Sequence, residues 1–246
     1  MTDHHVGTTG GRVRLTRRGK AVLGVFALVL TAGASMVSWP ASGDQRGAQA
    51  LSQAATIAGL SGTLRSQIPA DSRQVVVVTG TGQDSSDSTA TLYSRPSTSS
   101  PWVRGASWPA HNALKGWTAD HHFNDLRSPV GVFTLSDAGG RLTAPAGTRF
   151  PYDHNREFVA SGRGSRGESL AHAFDYVIAI DYNRVQGVSP LDPQRPDGAD
   201  KGGGVWIHVD HGGPTQACVS LPADAMRTLL TTLDPARHPV IAMGPS

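Results

Sequence analysis

Beyond residue 70 the apolar residues of this chain come in short runs, each cut off by glycine, proline or a polar turn. That punctuation limits the fold more than any other feature, because a chain interrupted so often cannot build long helices. Gln74–Val78 has the pattern of a buried strand closed by the turn Thr79-Gly-Thr-Gly82, and Thr89–Tyr93 is a second strand. A third starts at Trp102, and Val130–Leu135 alternates with period two behind Pro129. Tyr176–Tyr182 is apolar almost throughout, Val205–Val209 follows three glycines, and Pro239–Ala242 supplies a last strand. One helix interrupts the series. Pro222 suits a first-turn position, Asp224 complements the dipole, Met226, Leu229, Leu230 and Leu233 form one stripe, and Pro235 closes it. The expected fold is therefore mainly β (α+β), a sandwich or rolled sheet with one or two short helices. Residues 186–203 are too rich in Pro, Gly and polar groups for regular structure and read as a surface loop.

The N-terminal end reads differently. Residues 1–20 hold five basic side chains against Asp3, and residues 21–39 carry no charge at all. Nineteen such residues make a helix of roughly 28 Å, close to the apolar thickness of a bilayer. A basic flank orients that hydrophobic helix with its tail in the cytoplasm, as a retained anchor or, with Ala32-Gly33-Ala34 as a cleavage site, a signal peptide. The expected organisation is a basic tail (1–20), a membrane segment (21–39), a linker with a short helix (40–69) and an exported domain (70–246). Weak helical spacing over 48–67, ended by Pro69, gives the linker its helix. Charge also excludes a function class. The overall net charge of +3 is concentrated in the tail, and the remaining 17 basic and 18 acidic residues leave the body without a case for binding nucleic acid.

Export changes the meaning of the lone cysteine, since Cys218 has no partner for an internal disulfide. It is buried and inert, paired to another chain, or a reactive thiol. In Val205–Pro222 strand alternation puts Val205, Ile207 and Val209 on the core face and leaves Trp206 and His208 on the more open side. The turn His211–Thr215 returns the chain towards His208, and a helix begins within about four residues of Cys218. A helix N-terminus so placed favours a thiolate. Nucleophilic acyl transfer is then the expected chemistry, with His208 moving the proton and the N–H groups of Ala217 and Cys218 receiving the oxyanion. His211 could replace His208 as base or bind a substrate carboxylate, or be a turn residue. Asp181 could orient His208 or simply end its strand. Thr215 could hydrogen-bond near the oxyanion or only shape the turn. His208, His211 and Cys218 could instead be zinc ligands, although their spacing matches no common site. The histidines at 111, 121, 122, 154 and 172 show no partner in the sequence.

The segment Ile207-His-Val followed by Gly213-Pro-Thr-Gln-Ala-Cys-Val resembles the active-site segment of the YkuD-type L,D-transpeptidases, a strand histidine followed by Ser/Thr-His-Gly-Cys. Thr215, Gln216, Ala217 and Cys218 fall on that tetrad, with Gln216 and Ala217 standing where the family has His and Gly. Ser128-Pro-Val-Gly-Val-Phe133, Tyr176–Asn183 and the opening over residues 68–80 are similar to an actinobacterial branch of the family. The resemblance covers roughly residues 68–244. It implies a YkuD-like fold and a two-step transfer in which Cys218 attacks a peptidoglycan stem tetrapeptide, releases D-alanine and passes the acyl group to a second stem. Water as acceptor would make the chain an L,D-carboxypeptidase, and loss of chemistry would leave a wall-binding module. The resemblance implies no metal and no organic cofactor. The expected partners are peptidoglycan stem peptides and, through residues 21–39, the membrane.

Overall fold

A computed structural model describes residues 57–246. The helix expected over 21–39 lies outside them, and among the described residues no helix is long and apolar enough to cross a membrane. The domain is mainly β. Helix α1 (Gly62–Ser66) precedes β1 (Gln74–Gly80), β2 (Asp87–Ser94) and β3 (Val103–His111). Then come β4 (Trp117–Thr118), β5 (Ser128–Pro129), β6 (Gly131–Thr134), β7 (Ala138–Gly140), β8 (Tyr152–His154), β9 (Val177–Ala179), β10 (Trp206–Val209) and β11 (Val219–Leu221). Helix α2 (Ala223–Thr232) and β12 (Pro239–Pro245) end the chain.

Ten strands form one curled sheet in the order β6, β12, β1, β2, β3, β11, β10, β9, β7, β8, with β4 and β5 paired separately. Strand β1 is antiparallel to β2 and parallel to β12. The middle of the sheet is thin, since β3 meets β11 through one pair, His111 opposite Ser220. The two ends are joined by a single run of chain. Strand β6 pairs with β12, and a few residues later β7 pairs with β9. Between them Pro239 accepts the Leu135 N–H, while Thr134 and Asp137 accept those of Asp181 and Ala179. A sheet that bridges its own ends encloses a core and leaves little edge exposed.

Inside the curl lies α2. It buries Ala225, Met226, Leu229 and Leu230, with Leu233 at its C-terminal cap, against Val76, Val78, Ile178, Ile207, Val219 and Leu221. Each such large side chain contributes about 2 kcal/mol by leaving water. Pro222 is the N-cap rather than a first-turn residue. At the other end Gln74 donates to the Thr232 carbonyl (2.8 Å) and accepts from the Asp234 N–H (2.8 Å), satisfying groups a helix end leaves open.

The linker expected over 40–69 needs correction. Ile57, Leu60 and Leu64 are buried against Val75, Val77, Val240 and Ala242 on the outer face of β1 and β12. From residue 57 onwards the chain is part of the packed domain, because both faces of β1 are apolar and the second needs a cover. The helix in that stretch is only Gly62–Ser66, capped by the Ser61 hydroxyl, which accepts the Leu64 N–H at 3.2 Å.

Candidate functional site

The parallel pair β10–β11 builds the site. Ile207 lies opposite Val219 and His208 opposite Ser220, so one step back Cys218 lies beside Trp206. Residues opposite one another in a ladder point to the same face. Val205, Ile207 and Val209 therefore enter the core as expected, and His208 and Cys218 emerge together on the other face. Both line one cavity of about 770 Å3. Thr215, Gln216 and Ala217 line it too, as do Pro190, Leu191 and Arg195 of the loop expected over 186–203.

His208 is not open to solvent. It is 3% exposed, with Phe174 edge-on to its ring and His211 stacked against it at 5.7 Å between centroids. Its Nδ1–H donates to the Val209 carbonyl at 2.9 Å, which leaves Nε2 as the proton-accepting nitrogen of the neutral ring. Burial pushes its pKa down to about 4. Cys218 is pushed the opposite way, to about 11, again by burial, with the Trp206 N–H (3.4 Å from Sγ) pulling back less. The thiol points at the Gly204 carbonyl, 3.8 Å away. At neutral pH the resting pair is a thiol and a neutral imidazole, not the thiolate expected from the sequence. Burial raises the thiol, and the expected helix N-terminus is too distant to offset it. Strand β11 intervenes between Cys218 and α2, which starts at Ala223, so the dipole acts roughly 10 Å too far along the chain.

The backbone at Cys218 is pinned from below. Thr215 Oγ1 donates to the Cys218 carbonyl at 2.6 Å, and Ser128 Oγ donates to the same oxygen at 3.3 Å while accepting the Ala113 N–H. Thr215 therefore shapes the turn, and Ser128 of the Ser-Pro-Val-Gly-Val-Phe run is its buried counterpart. Among the described residues the N–H groups of Ala217 and Cys218 donate to no protein acceptor, which leaves them unspent. Ala217 is not in left-handed backbone, so its methyl group meets no conformational penalty.

Asp181 does not orient His208. Its carboxylate is committed to Thr134, Ser136 and Arg184, and Arg184 also pairs with Asp137 at 2.9 Å. Burial raises the Asp181 pKa, and those partners pull it back. The network ties β6, β7 and the end of β9 together, which is a structural duty.

His211 has a carboxylate partner. Its Nδ1–H donates to Glu168 at 3.1 Å, and both side chains are largely buried. Glu168 sits where a Cβ on Gly164 or Gly213 would overlap its carboxylate. Hydrogen bonds from backbone N–H groups, with His211 beside it, hold its pKa below the ordinary range. Glu168 lies in an aperiodic glycine-rich stretch, where no local pattern marks it. His121, read as partnerless, is in fact buried at the cavity 2.9 Å from Asp125, and His111 lies 2.8 Å from Asp210. Two further residues carry no local signal in the sequence. Asn183 donates to the Gly198 and Gly202 carbonyls and accepts the Asp197 N–H, and the Tyr182 hydroxyl donates to the Lys201 carbonyl at 2.9 Å. Together they staple the 186–203 loop to the cavity wall.

Among the described residues no group of three or more His, Cys, Asp or Glu side chains is arranged to hold a metal ion. No protein-family model, curated protein or solved structure matches this chain.

Proposed function

We propose that this chain is a peptidoglycan L,D-transpeptidase of the YkuD type, working outside the cell membrane and held there through residues 21–39. The observation that carries the reading is that Cys218 and His208 emerge on one face of paired strands into one cavity. In the first step Nε2 of His208 takes the thiol proton as sulfur attacks the stem-peptide carbonyl. The unspent N–H groups of Ala217 and Cys218 are suited to the oxyanion. The C–N bond then breaks, D-alanine leaves with the proton from His208, and a thioester remains. The amine of a second stem attacks the thioester, gives its proton to His208, and the thiol is regenerated as the crosslink forms. Because the resting proton stays on sulfur, its transfer accompanies attack rather than preceding it.

That same protonation state favours a second reading, a wall-binding module without chemistry. Incubating the purified full-length chain with stem tetrapeptides and analysing products by mass spectrometry separates the two. Crosslinked dimers that vanish in Cys218→Ser support transfer, and trimmed tripeptides alone indicate an L,D-carboxypeptidase. Retained peptidoglycan binding with neither product sinks the catalytic reading.

A further inference from the structure

The cavity beside Cys218 is lined by two arginines, Arg163 and Arg195, and by no aspartate or glutamate. Its three histidines add nothing to that count, since His208 is neutral and His121 and His211 lie against Asp125 and Glu168. Elsewhere four of the described arginines, Arg127, Arg141, Arg149 and Arg184, are ion-paired, and others such as Arg73, Arg95 and Arg237 are spent on backbone carbonyls. Arg163, exposed at the rim, donates only to the Gly167 carbonyl at 2.7 Å. Arg195 is half-buried, and its Nη1 donates to the carbonyls of Asp192 (3.1 Å) and Gln194 (2.7 Å), while Nη2 is left without an acceptor among the described residues.

Its position is built by glycines. A Cβ on Gly203 would lie 2.2 Å from Arg195 Nε, and one on Gly204 would lie 3.3 Å from Nη2. The guanidinium therefore rests on the backbone of Gly203 and Gly204, and the Gly204 carbonyl is the one that faces the Cys218 thiol. A half-desolvated guanidinium with free donors and no counter-ion is complementary to a carboxylate, which it can grip through two N–H groups.

We propose that Arg195, with Arg163 at the rim, forms an anion subsite that holds a carboxylate of the acyl donor beside Cys218. Resting on the acyl-transfer reading, the subsite selects donors with a free carboxylate close to the scissile amide and disfavours their amidated forms. The binding claim itself needs no turnover.

The test uses the lone thiol as reporter. The full-length chain in non-ionic detergent is alkylated with iodoacetate or with iodoacetamide, and the ratio of rates is divided by that of glutathione. The expected normalised ratio is about fivefold in favour of the anion, falling as salt is added. Arg195→Gln brings it near one with the iodoacetamide rate held within about twofold, and Arg195→Lys keeps part of it. A wild-type ratio equal to that of glutathione, a ratio insensitive to salt, or one unchanged in Arg195→Gln overturns the proposal. Should Arg195→Gln fail to fold, the wild-type ratio and its salt dependence still decide. An Arg195-dependent ratio in a chain that makes no stem-peptide products would sink the transpeptidase reading alone. An active chain with an Arg195-independent ratio would sink the subsite alone.

Discussion

The two halves of the sheet obey the same alternation and put it to different uses. In β1 both faces are apolar: Val76 and Val78 meet α2, while Val75 and Val77 meet Ile57, Leu60 and Leu64. In β10 and β11 only one face is apolar, and the other carries Trp206, His208, Cys218 and Ser220 beneath loops instead of a helix. A helix covers a face by filling it, whereas loops stapled by Asn183 and Glu168 cover a face and leave room. Packing on one side and a cavity on the other follow from the cover, not from the strands.

Changes on the two sides should therefore have separable effects. His208→Asn should lower the proposed acyl transfer about 10²- to 10⁴-fold while the chain stays folded, as loss of a general base does, measured by stem-peptide turnover and circular dichroism. Leu229→Ala, inside the packed half, should cost about 2–5 kcal/mol in denaturant unfolding and leave the alkylation rate of Cys218 unchanged under native conditions. Acid should weaken the fold through the cavity half. The folded His208 titrates near 4, and the unfolded imidazole near 6.5, so between those values only the unfolded chain binds the proton. Stability is then complete above about pH 6.5 and falls as pH drops, by about 3 kcal/mol at pH 4. Denaturant titrations at a series of pH values should show this loss in the wild type and lack it in His208→Asn. The smallest effect belongs to Thr215→Val, which removes one hydroxyl from the Cys218 carbonyl and should cost about 1 kcal/mol.

The strands were legible where burial was one-dimensional. Gln74–Val78, Val205–Val209 and the stripe of α2 announce themselves by period, and each lies where the pattern puts it. What the sequence concealed depends on partners far along the chain. Glu168 reaches His211 across 43 residues, and Arg184 reaches Asp137 across 47, with no local signal at either end. The burial of His208 was hidden for the same reason, since alternation tells which face a side chain takes but not what covers that face. For Asp181 the sequence leaves two roles open, orienting His208 or ending its strand, and only its distant partners on β6 and the segment that follows decide for the second.

The central claim is that the Cys218 sulfur faces an open cavity with the His208 imidazole at its side. Intact-mass measurement after exposure to a carbapenem tests it most directly. A single adduct on the wild-type chain, none on Cys218→Ser and a much slower one on His208→Asn is the predicted result. No adduct on the wild type, at concentrations and times that acylate a known cysteine transpeptidase, would contradict it.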